Sequence, residues 1–201
     1  MNAGMLPRTV SIFAKASDFL YRYSRLKTII VVGVVFVAFQ QGIFPHFMKE
    51  IALTTTYPIP DLIFGFHVEQ AYDFVASTGK EGRKAYLDTL LWIDSLYPLV
   101  YSLFLSLIVG VAFKRIPSGL QKLKHLNILP FGAAIADYFE NTGLIIVVLS
   151  YPTKTAFAAQ LASIFGMIKW SIVAVSMAII IISLLYMAFL ALKFKKNHPT
   201  Q

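Results

Sequence analysis

The sequence contains no cysteine, which removes disulfide frameworks, thiolate nucleophiles and cysteine-ligated metals from consideration. Charge is also scarce: only 14% of the 201 residues are Asp, Glu, Lys or Arg. No G-x-S-x-G, H-E-x-x-H or Walker-type loop is present, and Gly79-Lys80-Glu81-Gly82-Arg83-Lys84 lacks the spacing of a phosphate loop. Acids are the rarer sign, ten against eighteen Lys and Arg. The basic residues lie at the ends of apolar runs rather than in one patch interleaved with aromatics, so nucleic acid is not an expected partner.

What fills the chain instead is apolar. At 57% hydrophobic residues and a mean hydropathy of +0.68 it reads as a membrane protein, all-α and polytopic, in a single domain. Residues 1–26 combine Ile12, Phe13, Phe19 and Leu20 with Lys15, Arg22 and Arg25, the pattern of an amphipathic helix on the cytoplasmic surface. Residues 28–48 carry no formal charge over a length of about 31 Å as helix, enough for one crossing. A long connection, 49–83, contains a Tyr57-Pro58-Ile59-Pro60-Asp61 turn and a helix-like stretch from about His67 to Ser77 that stops at Gly79. Further spans are expected at 84–113, 126–151, where Pro130 suits a first helical turn, and 169–192. The apolar run 155–192 would reach about 57 Å as one helix, so Gly166 is expected to mark a bend, or the first part to lie along the interface.

Lys and Arg are concentrated in the N-terminal segment, the 114–125 connection and the C-terminal tail. By the positive-inside rule this predicts a four-helix bundle with both termini cytoplasmic, in the inner membrane of a bacterium.

Ionisable groups within such spans are costly and mark functional positions by default. Asp94, Tyr97, Pro98 and Tyr101 share one helical face by their i, i+3, i+4, i+7 spacing. Asp137, Glu140 and Asn141 share another on the next span, and Gly132 with Ala136 offers a small-residue surface for close packing. Counting 1.5 Å per residue from the cytoplasmic ends puts Gln40, Tyr101 and Glu140 level at about 18 Å, with Asp137 deeper toward the cytoplasm and Asp94 and Lys169 further out. Two carboxyls one turn apart cannot both ionise cheaply in low dielectric, so one of Asp137 and Glu140 is expected to hold a proton unless a cation is near. Lys169 is the expected cation, and Asp73 and Arg83, with His67 and Glu69, are expected to roof the site from the long loop. Gln40 and Asn141 are candidate ligand contacts that serve equally as interhelical hydrogen bonders, as does Gln41. Asp94, Asp137 and Glu140 permit a carboxylate metal site chemically, but no acidic motif of recognised spacing marks one, and neither metal nor cofactor is expected.

Together, Gly79-x-x-Gly82-Arg83-x-x-Tyr86, Asp94-x-x-Tyr97-Pro98-x-x-Tyr101, Asp137-x-x-Glu140-Asn141 and Lys169-Trp170 resemble a set of uncharacterised small bacterial four-span membrane proteins, over about three-fifths of the chain, residues 68–190. That resemblance implies no chemistry. A fold-level analogy links the pattern to the EXPERA group of four-span sterol isomerases and sterol-binding proteins, without a position-by-position motif. The expected function is to bind or modify an amphipathic or isoprenoid-like membrane lipid. In it, Glu140 and Asp137 exchange protons, Tyr97 and Tyr101 orient the ligand, and Asp94 and Lys169 complete the site. A proton-coupled transporter and a non-catalytic assembly subunit are the alternatives.

Overall fold

The computed structural model describes residues 11–115 and 118–197, with the backbone alone at 118–122, 191 and 194–197. The remaining parts of the expected amphipathic segment, 1–10, and of the basic connection, 116–117, lie outside the described residues. The described residues form eight α-helices: α1 (Ile12–Tyr23), α2 (Leu26–Ala38), α3 (Phe44–Ala52), α4 (Val68–Ser77), α5 (Gly79–Asp88), α6 (Tyr97–Lys114), α7 (Leu129–Ser150) and α8 (Ala156–Asn197). No strand occurs among the described residues.

Among the described residues four helical stretches are long and apolar enough to cross a membrane: Leu26–Ala52, Tyr97–Lys114, Leu123–Ser150 and Ala156–Leu190. The first joins α2 to α3 through a π turn, Phe39–Ile43. Not one residue of α2 is buried. Its Ile30, Val31, Val34 and Val37 face outward, and it touches the rest of the fold through Gly33 and Phe36, which lie against Phe104.

The second apolar stretch departs from the expected continuous span at 84–113. A second π turn, Thr89–Ile93, follows α5, and the chain turns at Asp94 before α6 begins at Tyr97. Pro98 lies in the first turn of α6, where a missing N–H costs nothing. Pro130 occupies the same place in α7, as its sequence position suggested. In the long connection, Gly79 adopts φ +63° between α4 and α5, a left-handed conformation that glycine alone takes without strain.

Along α8 the helix runs through Gly166 without a break. Ala156–Asn197 is one uninterrupted helix of 42 residues, about 63 Å long. Gly166 has a different task. A Cβ there would lie 2.5 Å from the Glu140 Oε1 atom, so the glycine lets α7 bring a carboxylate against the α8 backbone. Close approach of the two helices also centres on Gly143, where a Cβ would lie 2.8 Å from the Ala158 carbonyl and from the Ala162 side chain. It does not centre on Gly132, whose nearest neighbour, Ile172, is at ordinary contact distance of 3.4 Å. Facing pairs 143/162, 140/166 and 137/169 step in opposite directions along the two helices, so α7 and α8 pack antiparallel in a single register.

Two apolar cores result. One gathers Ile51, Phe74, Tyr86, Leu90, Leu144, Val147 and Ala162; the other gathers Tyr101, Leu105, Val109, Phe113, Ala133 and Ile180. At the foot of the second, α1 is tied to the 118–128 connection. The Ser17 hydroxyl donates to Asn127 Oδ1 at 2.7 Å, and Asn127 Nδ2 donates to the Ser17 carbonyl at 2.9 Å. Ile12, Phe13 and Phe19 remain exposed on α1.

Replacing Gly166 by alanine is expected to destabilise the fold by about 1–3 kcal/mol, because the backbone on one side and the fully buried Glu140 on the other leave no room to yield. Gly42→Ala, where a Cβ meets nothing within 4 Å, is the matched control and is expected to change little. Thermal unfolding in detergent of both variants checks the pair.

Candidate functional site

Each of the three elements that bound the interior carries its polar residues between the two apolar cores. On α7, Asp137, Glu140 and Asn141 lie between Ala133 and Leu144; on α8, Lys169 lies between Ala162 and Ile180; Asp94 lies between Leu90 and Tyr101. The buried ionisable acids and bases among the described residues are Asp61, Asp94, Asp137, Glu140 and Lys169. Four carboxyls therefore share one ammonium.

Lys169 is at the centre. Its Nζ stands 2.5 Å from Glu140 Oε2 and 3.3 Å from Asp137 Oδ1, and it donates to the Asp61 carbonyl at 3.2 Å. The Glu140 contact is a close ion pair outside hydrogen-bonding geometry, and Glu140 Oε1 has no partner among the described residues. An ammonium offers three N–H donors, and two of them go to the Asp61 carbonyl and Asp137 Oδ1. The cation that the two α7 carboxyls required is present.

This contact overturns the depth order read from residue counts, which placed Lys169 well outward of Glu140. The counts for α7 and α8 started from separate origins, and the register in which the two helices pack fixes their relative depth instead. Asp94 moves inward for a related reason. The turn after the π segment brings it level with Asn141, whose Nδ2 donates to the Asp94 carbonyl at 3.3 Å. Asp94, Tyr97 and Tyr101 do not lie on one continuous helix, yet all three face the same space.

That space is a cavity of about 600 Å³, within the range of small-molecule sites. Gln40, Asp61, Asp94, Tyr97, Tyr101, Asp137 and Lys169 supply its polar wall. Phe36, Phe104, Ile108, Val173, Met177 and Ile180 supply much of its apolar one. α6 and α8 both run from the first core toward the second. Along α6 the lining passes from Tyr97 and Tyr101 to Phe104 and Ile108, and along α8 from Lys169 to Met177 and Ile180. The cavity is therefore polar at one end and apolar at the other. Lys169 to Ile180 spans about 16 Å by helical rise.

The aromatic side is built around Tyr97. Its ring meets Phe44 edge-on at 4.7 Å and Tyr101 at 5.3 Å, and its hydroxyl is the hydrogen-bond partner of the Gln40 amide. Gln40 reaches it from the π turn Phe39–Ile43, a feature that recurs at functional sites because the widened turn redirects a side chain. Gln41 is exposed. The Tyr101 hydroxyl and Asp94 Oδ2 are buried with no partner among the described residues.

The loop does cover the polar end, but with other residues than expected. Asp61 and Leu62, in a 3₁₀ turn opened by Pro60, line the cavity, and Asp61 Oδ1 accepts from the buried Tyr86 hydroxyl at 2.8 Å. Asp73 and Glu69 are exposed, and His67 is exposed at the N-cap of α4. Arg83 donates to the Val75 carbonyl at 3.2 Å and stacks over Tyr151 at 4.6 Å. None of these four lines the cavity, because α4 and α5 turn their polar faces away from α7 and α8. Glu140 and Asn141 lie behind the wall rather than in it. Among the described residues, no group of three or more His, Cys, Asp or Glu is arranged to hold a metal ion.

No protein-family model, no curated protein and no solved structure matches the chain. The roles of these residues rest on their geometry.

Lys169→Met is expected to cost about 3–5 kcal/mol, since it leaves Glu140 and Asp137 buried without their cation. Adding Glu140→Gln to that variant is expected to recover part of the loss, giving a coupling energy above about 1 kcal/mol in a double-mutant cycle read by unfolding. Additive losses would show that the pair is not coupled.

Proposed function

We propose that the chain is an integral membrane protein, a four-span bundle with both termini cytoplasmic, and that its cavity binds an amphipathic, lipid-like ligand. Insertion is supported by α2, whose Leu26–Ala38 surface is almost wholly apolar and unburied, and by outward-facing Ile135, Phe139, Ile146, Leu149, Ile182 and Leu185 on α7 and α8. An apolar surface of that extent is stable only against another apolar phase. The charge pattern along the sequence supports the orientation.

The observation that carries the ligand reading is the cavity's graded wall. Its carboxyls, tyrosines and Gln40 gather toward one end, among Phe44, Met48 and Leu62, while Phe104, Ile108, Val173, Met177 and Ile180 line the other without a polar group, as an amphiphile requires. A subunit whose buried polar groups served only helix pairing would close this space around them. If the protein modifies its ligand, Asp94 and Asp137 are the carboxyls that touch it and exchange protons, with the Tyr101 hydroxyl beside them. Glu140 acts on the site through Lys169, as a positioning residue.

Native mass spectrometry of the gently extracted protein is expected to show a copurified lipid-like molecule at about one per chain. Val173→Phe combined with Ile180→Phe, which fills the apolar half of the cavity, is expected to remove it while the helical content persists. Equal occupancy in the filled variant would place the molecule elsewhere, and its absence from both would count against the reading.

A further inference from the structure

The imbalance of donors and acceptors at the polar end narrows the ligand's chemistry. Among the described residues four buried carboxyls, Asp61, Asp94, Asp137 and Glu140, stand against one buried ammonium, Lys169, and three of them line the cavity directly. The ammonium is committed to oxygens of Asp61, Asp137 and Glu140. Its charge already faces two carboxyls, which leaves little attraction for a further anion. Asp94, by contrast, is 7% exposed and lines the cavity, and its buried Oδ2 has no partner among the described residues. The donors without partners there are neutral, Trp170 Nε1 and the Tyr101 hydroxyl.

An anionic head, whether phosphate, sulfate or carboxylate, would meet carboxyls and find no free cation. A neutral alcohol can donate one hydrogen to Asp94 but leaves the remaining carboxyl oxygens of the wall without a donor. A protonated primary amine brings three donors and a positive charge to a place where the acceptors outnumber the donors. Its alkyl chain then runs along α6 and α8 toward Ile108 and Ile180, over a distance that accommodates a single chain.

We propose that the cavity selects a cationic amphiphile, a single-chain primary amine whose ammonium is held by Asp94 and Asp137. The proposal rests on the reading of the cavity as an amphiphile site and specifies the head group. It also assigns Asp94, not Lys169, as the residue that distinguishes ligands.

The test uses the full chain in phosphatidylcholine nanodiscs. Trp92→Phe removes the exposed one of the two tryptophans and leaves Trp170, in the cavity wall, as the reporter. Dodecylamine, dodecanol and dodecyl phosphate are titrated, with the Val173→Phe and Ile180→Phe combination as the blank for partition into lipid. Dodecylamine is expected to bind at least about ten-fold more tightly than dodecanol, with dodecyl phosphate neither binding nor competing. Asp94→Asn is expected to bring the amine to within about three-fold of the alcohol. Should that variant fail to fold, the ranking of the three probes on the Asp94 protein decides alone. Equal binding of amine and alcohol, or tighter binding of the phosphate, overturns the head-group assignment while leaving the cavity reading intact. Failure of all three to change Trp170 fluorescence beyond the filled variant overturns both.

Discussion

The fold depends on one buried ammonium. Desolvating Lys169 is expensive, and the expense is offset only where oxygens surround it closely. Those oxygens come from two elements distant in sequence: Asp137 and Glu140 on α7, and the carbonyl of Asp61 in the long loop. Satisfying the ammonium therefore sets the register of α7 on α8 and draws the loop over the interior. Gly166 follows from the same demand, since any larger residue would hold Glu140 away from the α8 backbone.

Around this centre the apolar cores act as end plates. One packs the loop helices onto α7 and α8, the other packs α6 against them, and the polar layer occupies the gap. Two departures from regular helix keep that gap open. The π turn at Phe39–Ile43 turns Gln40 inward, and the turn at Asp94 displaces the upstream chain from the axis of α6. Continuous α-helices at both places would carry these side chains elsewhere.

Much of the helical plan is visible in the residues themselves, because its signals are local. Pro98 and Pro130 open helices, Gly79 ends one, and the apolar runs mark the four long stretches. The acids Asp94, Asp137 and Glu140 stand out because their surroundings are apolar. Asp61 does not, since it sits in a polar connection with no periodicity, and only the tertiary contact with Tyr86 reveals its burial. Relative depth fails for a different reason. Helix rise is regular, but the origin from which each helix is counted depends on packing, so the Lys169–Glu140 contact is hidden until the register of α7 and α8 is known. Gly166 shows the same limit, as a glycine in a helix is consistent with a bend or with close approach, and only the partner decides.

Under the proposed function, in which the cavity of a membrane-inserted chain takes an amphiphile, the exposure of α2 bears on how that ligand enters. That helix contributes Phe36 to the wall and leans on α6 through stacked rings, with its outer surface unburied. For an amphiphile already dissolved in the bilayer, the barrier is then a single helix and not a protein shell. The quantity that governs occupancy becomes moles of ligand per mole of lipid, not its aqueous concentration. Each added methylene, favouring partition by about 0.8 kcal/mol, raises the supply at the wall while leaving the water phase nearly empty.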